Sequence, residues 1–135
     1  MATTKTIYTG DLRTEITHLK SDTVIATDAP VDNNGKGETF SPTDLVAAAL
    51  GSCMLTIMGI AARTHGFDID GTIIDTTKIM GTDPRRISEI IVDITFPQDY
   101  DDKTKRILEA AANSCPVAHS PHPDTKQTIK YTYTK

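Results

Sequence analysis

The two cysteines are the residues of this chain whose side chains are best suited to carry out chemistry. Cys53 and Cys115 are the only cysteines among 135 residues, and they lie far apart in the sequence. A thiolate can attack an electrophile, bind a metal or exchange into a disulfide. Two cysteines are too few for a disulfide-stapled scaffold. Free cysteine is also among the most buried residue types, so composition alone favours a packing role for each of them.

A mixed zinc site is one alternative use of these thiols. His119 and His122 follow Cys115 at spacings of four and three, and with Cys53 they would make a set of four ligands. The proline-rich segment that carries both histidines predicts a loop, and no paired-cysteine motif accompanies it. We therefore expect neither a metal nor a cofactor.

A reactive Cys53 needs an electrostatic field, because an ordinary cysteine has a pKa of about 8.5 and only the thiolate attacks. The residue is predicted about three turns inside a helix, whereas a helix dipole acts mainly within the first turn. A cation from elsewhere would have to supply the field. The sequence does not choose among the candidates, which are Arg13, Lys36, Arg85 and Arg86.

The helix that carries Cys53 has a well-marked start and end. In the segment SPTD, Ser41 is the N-cap and Pro42 takes the first helical position. Asp44, three residues after the cap, can accept hydrogen bonds from the open backbone N–H groups. Gly66 can adopt the left-handed conformation that ends a helix. The pattern therefore predicts a helix that runs to about His65.

The centre of this helix carries no charge from Leu45 to Ala62, a length near the threshold for a membrane span. Its many alanines and glycines, and the lack of an aromatic or basic girdle, favour instead a buried helix in a folded domain. Small residues form one stripe along it, which would let another helix approach closely, including the same helix of a second subunit. The stripe consists of Ala48, Ser52, Thr56 and Gly59.

Strand patterns occupy much of the remaining chain. Thr4–Thr27 predicts two or three hairpin-linked strands, and Asp28–Phe40 predicts a loop rich in glycine and asparagine. Two further strands are predicted at Ile69–Met80 and Ile87–Phe96, joined by a hairpin at residues 81–84.

A second helix is predicted from the acidic segment 99–102 to about Ser114, with Pro116 interrupting it. One apolar face of this helix would hold Leu108, Ala111, Ala112 and Cys115. A last strand is predicted at Thr128–Tyr133. This order of elements predicts an α+β fold, an antiparallel sheet of hairpin-linked strands with helices on one side. The length of the chain predicts a single domain over residues 1–135.

Composition narrows the possible partners and location. With 14 basic against 18 acidic residues the net charge is −4, and no strongly basic patch supports nucleic-acid binding. The first five residues lack the features of a secretion signal. We expect a cytoplasmic protein with no membrane partner. The modest apolar content and the absence of tryptophan suggest a small core that pairs with a second copy.

The segment SPTDLVAAALGSC, which ends at Cys53, resembles the signature of the OsmC/Ohr family of osmotically inducible and organic hydroperoxide resistance proteins. A second family feature, a cysteine followed by proline late in the chain, is matched by Cys115 and Pro116. The resemblance spans nearly the whole chain. It implies an OsmC-like fold, an intertwined homodimer with two central helices and an active site at the subunit interface.

The resemblance also implies a thiol peroxidase. Cys53 would be the peroxidatic and Cys115 the resolving cysteine in the reduction of an organic hydroperoxide or hydrogen peroxide. A dithiol reductant, such as a lipoylated or thioredoxin-like protein, would restore both thiols.

One position departs from the family pattern. Peroxidatic members carry a glutamate directly after the helix-starting proline, paired with an arginine. Thr43 holds that place here, and the acid follows at Asp44. A second interpretation therefore stays open: a non-enzymatic OsmC-like dimer that binds a small apolar ligand, with peroxidase activity weak or lost.

Overall fold

The structure is a computed structural model that describes residues 1–134. The chain forms two compact units, Met1–Val46 and Ala47–Lys135, called here the N-terminal and the C-terminal unit. A single domain over residues 1–135 stays a prediction.

The N-terminal unit is built on a three-stranded antiparallel sheet. Its strands are β1 (Thr4–Gly10), β2 (Arg13–His18) and β3 (Thr23–Asp28), in that spatial order. The chain turns between β1 and β2 at Gly10, where φ is 95°, a conformation that suits glycine because it has no Cβ. The strands predicted in this region are confirmed.

The longest helix, α1 (Pro42–His65), begins with a reciprocal cap. The backbone N–H of Asp44 donates to the Ser41 hydroxyl at 3.1 Å, and the backbone N–H of Ser41 donates to the Asp44 carboxylate at 2.9 Å. Two N–H groups that the helix itself leaves unpaired are thereby satisfied. At the other end Gly66 adopts φ 80°. Both predicted ends of α1 are confirmed.

The C-terminal unit continues with β4 (Ile73–Gly81), β5 (Arg86–Phe96), α2 (Asp102–Asn113) and β6 (Lys126–Tyr133). Its three strands lie in the order β4-β5-β6. The β4–β5 pair is an antiparallel hairpin, as predicted. The prediction of antiparallel strands is wrong for β5 and β6, which run parallel. A parallel pair requires a crossover, and the segment containing α2 provides it.

The core of the C-terminal unit fills the space between the two helices and the sheet. Apolar residues of α1 enter it at helical spacing, at Ala47, Leu50, Met54, Met58 and Ala62. The central strand β5 contributes Ile90, Val92, Ile94 and Phe96, and α2 contributes Leu108 and Ala112. The α+β class is therefore confirmed, with a mixed sheet.

Much of α1 remains exposed in a single chain. By length and composition alone, α1 passes the test for a helix that could span a membrane. Only a third of its most apolar stretch is buried within the chain. The stripe residues Ala48, Ser52 and Thr56 are exposed. The prediction that α1 is buried on nearly all sides is thus wrong for one chain, because the sheet and α2 cover only one of its faces.

Candidate functional site

Cys53 lies about three turns inside α1 and is half-buried. Its neighbour Met54 is fully buried, so Cys53 lies at the border between the core-facing side of the helix and the exposed side. The side chain packs against the hydrophobic core of the C-terminal unit. Cys53 is therefore placed where a small molecule from solvent can reach it.

Cys115 lies just beyond the end of α2 and has no exposed surface. The sequence predicted it on the apolar face of this helix, but α2 ends at Asn113. The next residues close the helix, since the backbone N–H of Ser114 donates to Ala111 and that of Cys115 to Ala112. Pro116 then begins a turn. The thiol is buried as predicted, although its residue is outside the helix.

The structure brings the two thiols together. Cys53 packs against the core cluster that contains Cys115, close enough that its side chain raises the pKa of the Cys115 thiol, and both cysteines are free. The two residues belong to distant segments of the chain, since α1 carries Cys53 and Cys115 follows the end of α2. A disulfide needs this kind of proximity between two sulfurs.

The electrostatic environment of Cys115 favours a protonated thiol. Burial raises the pKa of Cys115, because the charged form loses its hydration. The backbone N–H of Ala118 opposes this effect by donating to the sulfur at 3.2 Å. The neighbouring Cys53 raises the pKa further, and the backbone N–H of Val117 lowers it. Cys115 is thus neutral at rest, with amide donors that can stabilise a thiolate once it forms.

The turn that carries these amide groups is held by further hydrogen bonds. The backbone N–H of Ala118 also donates to the Cys115 carbonyl at 3.0 Å, and the Ser120 hydroxyl donates to the Pro116 carbonyl at 2.8 Å. From β6, the Gln127 side chain donates to the Ala118 carbonyl at 2.8 Å. Sequence reasoning missed Ala118 and Gln127. Pro116 signalled a turn, but a backbone donor and a lone glutamine leave no recognisable pattern.

The zinc arrangement considered from the sequence does not form. Within residues 1–134, no three His, Cys, Asp or Glu side chains converge into a set of metal ligands. His122 instead lies beside Asp124, with its Nδ1 atom 3.7 Å from a carboxylate oxygen.

The candidate cations of the N-terminal unit belong to a local network. The Arg13 guanidinium contacts Asp28 through two hydrogen bonds of 2.5 and 3.0 Å and reaches Glu38 at 2.9 Å. Asp28 is 1% exposed, and its bond to Arg13 is the main reason that its pKa is lowered. The charge of Lys36 adds slightly to this effect. Two acidic side chains therefore hold Arg13 in place.

At the helix start, the acid and the threonine of the family motif also have local partners. The Asp44 carboxylate serves the cap of α1, and the Thr43 hydroxyl lies 3.1 Å from the Ser41 hydroxyl. In the C-terminal unit, Nη1 of Arg86 donates to the carbonyls of Thr82 and Pro84 at 2.9 and 3.2 Å. Arg86 thus supports the β4–β5 hairpin.

An open groove of about 410 Å³ runs along the exposed side of α1 next to β4. Small residues allow it, because a Cβ at Gly51 would stand only 3.0 Å from the Ile74 side chain. The groove is lined by Ala48, Gly51, Ser52, Leu55, Thr56, Ile74 and Thr76. It mixes apolar surface with hydroxyl groups, next in sequence to Cys53.

Comparison with known proteins identifies the family. The family model described as OsmC-like protein matches residues 35–130, which include both thiols and most of the secondary structure. The chain belongs to the OsmC-like protein family. A search of curated proteins gave no match. The resemblance in the motif around Cys53 is thereby confirmed.

Solved structures of OsmC-like proteins agree with this membership. A candidate osmotic stress induced and detoxification response protein from Psychrobacter arcticus is 56% identical, with a TM-score of 0.94, over 97% of this chain and 96% of that one. The organic hydroperoxide resistance protein OsmC of Legionella pneumophila is 12% identical, with a TM-score of 0.78, over 98% of each chain. The organic hydroperoxide resistance protein OhrB of Bacillus subtilis is 18% identical, with a TM-score of 0.72, over 97% and 98%. The OsmC-like fold is confirmed.

Proposed function

We propose that this OsmC-like protein is a thiol-dependent peroxidase that reduces organic hydroperoxides or hydrogen peroxide through Cys53 and Cys115. One observation carries the proposal: the thiols of Cys53 and Cys115, distant in sequence, are side-chain neighbours in the folded chain. The family supports it, because similar folds occur in proteins named for organic hydroperoxide resistance.

The reaction proceeds in two steps at these sulfurs. The Cys53 thiolate attacks the peroxide, so that an S–O bond forms, the O–O bond breaks and the alcohol or water leaves with a proton. The Cys115 sulfur then attacks the Cys53 sulfenic acid, forming the S–S bond and releasing water. A dithiol reductant, such as a lipoylated or thioredoxin-like protein, returns both thiols by exchange and becomes oxidised.

The burial of the two thiols supports this division of roles. Cys53 is half-buried and can react with a substrate from solvent. Cys115 is fully buried and can react only with a group inside the protein, such as the oxidised Cys53 side chain. The raised pKa of Cys115 keeps it protonated until the sulfenic acid lies beside it. A resolving thiol has to react only after the sulfenic acid has formed on the other cysteine.

The proposal includes a homodimer in the cytoplasm. The exposed side of α1 combines small residues with large apolar ones such as Val46 and Ile60, which are 41% and 57% exposed. A monomer rarely leaves so much apolar surface of one helix in water. The same helix of a second subunit is an occupant of suitable shape, because the small stripe allows close approach.

The test is the fate of the thiols under hydroperoxide. One equivalent of an organic hydroperoxide should convert the protein to a form with an intramolecular disulfide and no free thiol, measured by mass spectrometry after alkylation. Cys53→Ser should abolish peroxide consumption, and Cys115→Ser should accumulate a sulfenic acid that dimedone traps. Free thiols that persist in folded protein under excess peroxide would reject the proposal.

The groove beside β4 favours one second candidate, a non-enzymatic dimer that binds a small apolar ligand. Thr43, which stands where peroxidatic members carry glutamate, also motivates it. In that case peroxide turnover would be slow and Thr43→Glu would bring no gain in rate. A gain in the second-order rate constant on Thr43→Glu would favour the peroxidase.

A further inference from the structure

The segment that joins α2 to β6 is attached to the strands at both of its ends. Near Cys115, the Gln127 Nε2 atom donates to the Ala118 carbonyl at 2.8 Å. Near β6, the Thr125 hydroxyl donates to the Ile87 carbonyl at 3.0 Å. The Gln127 bond is the one that reaches the turn beside the thiols.

Both polar backbone groups of Ala118, the N–H and the carbonyl, make hydrogen bonds. Its N–H contacts the Cys115 sulfur at 3.2 Å, while its carbonyl accepts the hydrogen bond from Gln127. The bond from Gln127 therefore restrains the residue whose amide group faces the sulfur. This contact lies in a partly buried region, where an unpaired carbonyl would be costly.

We propose that Gln127 is a positioning residue for Cys115. By holding the Ala118 carbonyl, it keeps the Ala118 N–H directed at the Cys115 sulfur and keeps that sulfur beside Cys53. Its place in peroxide reduction rests on the proposed function, whereas its effect on disulfide closure does not.

The step that Gln127 assists is the closure of the disulfide. Cys115 gives up its proton, its sulfur attacks the sulfur of the Cys53 sulfenic acid, and the leaving hydroxide takes the proton away as water. As negative charge develops on the Cys115 sulfur, the Ala118 N–H stabilises it. A turn free to rotate would lose this donor during the attack. Gln127 should therefore affect closure and leave the first attack by Cys53 unchanged.

The experiment compares Gln127→Met with Tyr133→Phe. Methionine keeps the length and apolar part of glutamine but has no N–H donor. Tyr133→Phe removes one side-chain hydrogen bond from the same strand, between the Tyr133 hydroxyl and Glu109. It thus controls for the loss of a side-chain hydrogen bond from β6 that does not reach the turn beside the thiols.

Two oxidants separate the inference from the proposed function. Diamide closes a dithiol by accepting its two electrons and two protons, and so needs no peroxidase activity. Gln127→Met should close the disulfide about fivefold more slowly with diamide, the size expected for one lost hydrogen bond. With hydroperoxide it should accumulate sulfenic acid at an unchanged initial rate. Tyr133→Phe should behave as the wild type in both.

The outcomes are distinct. Slow closure only in Gln127→Met, with recovery in Gln127→Lys, which restores N–H donors of similar reach, supports the inference. If the wild type closes with diamide but not with hydroperoxide, the proposed function fails while the role of Gln127 is still decided by the diamide rates. Wild-type closure rates in Gln127→Met would overturn the inference. If Gln127→Met does not fold, a failure of Gln127→Lys to close at the wild-type rate would overturn it as well.

Discussion

The side chain of Cys53 in α1 is a neighbour of the Cys115 side chain, which lies just beyond α2 in the same core cluster. Cys53 is half-buried, whereas Cys115 is fully buried. Of these two cysteines, only Cys53 therefore has surface that a molecule from solvent can reach.

The two thiols should differ in their rate of alkylation. Cys115 has no exposed surface, and burial raises its pKa, so little thiolate is available to react at pH 8. We expect iodoacetamide to modify Cys53 faster than Cys115 in the native protein, since the reagent needs an accessible thiolate and buried Cys115 offers neither the access nor the charge. Mass spectrometry of the peptides would measure both rates. The rates should converge in denaturant, and faster modification of native Cys115 would contradict this view.

Asp28 should control the acid stability of the N-terminal unit. The guanidinium of Arg13 lowers the pKa of this carboxyl below its ordinary value near 3.9. Its contribution to the free energy of unfolding is therefore fully present above pH 4 and is lost as the pH falls through the lowered pKa. Asp28→Asn should lower the melting temperature at pH 7 by roughly 5 °C or more, because it leaves the contacts of Arg13 incomplete.

The matched control for Asp28 is Asp124→Asn, on a side chain that is 80% exposed. This change should shift the melting temperature by less than about 1 °C. Thermal unfolding followed by circular dichroism between pH 2 and pH 7 would compare the variants. If Asp28→Asn and the wild type kept the same difference in stability down to pH 2, the ion pair would not be the source.

Two tyrosines of β6 should respond in opposite directions to loss of their hydroxyl groups. The Tyr131 hydroxyl is buried and has no hydrogen-bond partner among the described residues, whereas the Tyr133 hydroxyl donates to Glu109 at 2.8 Å. Tyr131→Phe should therefore raise the free energy of unfolding by about 1 kcal/mol, and Tyr133→Phe should lower it by about 1 kcal/mol. Urea unfolding at pH 7 measures both. A stability loss in Tyr131→Phe would show that its hydroxyl is satisfied.

Tyr131 should also affect how the free energy of unfolding changes at alkaline pH. Burial raises the pKa of Tyr131 to about 12, with Glu109 adding to the effect, while the unfolded side chain titrates near 10. The folded state therefore binds this proton more tightly, and the free energy of unfolding falls as the pH rises from 10 to 12. Tyr131→Phe should flatten this fall. An unchanged alkaline slope would contradict the assignment.

The exposed stripe of α1 should hold two copies together. Thr56 is exposed on this helix, and its hydroxyl donates to the Ser52 carbonyl. Thr56→Arg would place a long charged side chain where a second helix must approach closely. We expect wild-type protein to elute as a dimer in size-exclusion chromatography and Thr56→Arg to elute as a single chain. Asp124→Arg is the control at an exposed site, and a dimeric Thr56→Arg would exclude this stripe as the interface.

Local signals predicted much of the secondary structure. The cap of α1 was readable because Ser41 and Asp44 satisfy each other's backbone N–H groups within four residues. Alternation and turn residues located the strands for the same reason, since hairpins depend on neighbouring residues. The direction of β6 was not readable, because parallel pairing with β5 depends on where α2 returns the chain.

The sequence by itself determined the two thiols, the helix around Cys53 and the family motif, because these depend on residue types and short-range order. Only the tertiary structure decided that Cys53 and Cys115 are neighbours and that Cys115 lies outside α2. It also decided that the Ala118 N–H donates to the Cys115 sulfur and that Gln127 donates to the Ala118 carbonyl. Contacts between distant segments depend on how helices and strands pack, and a backbone amide donor is present at nearly every residue. Its direction, and hence its chemistry, is set only when the chain is folded.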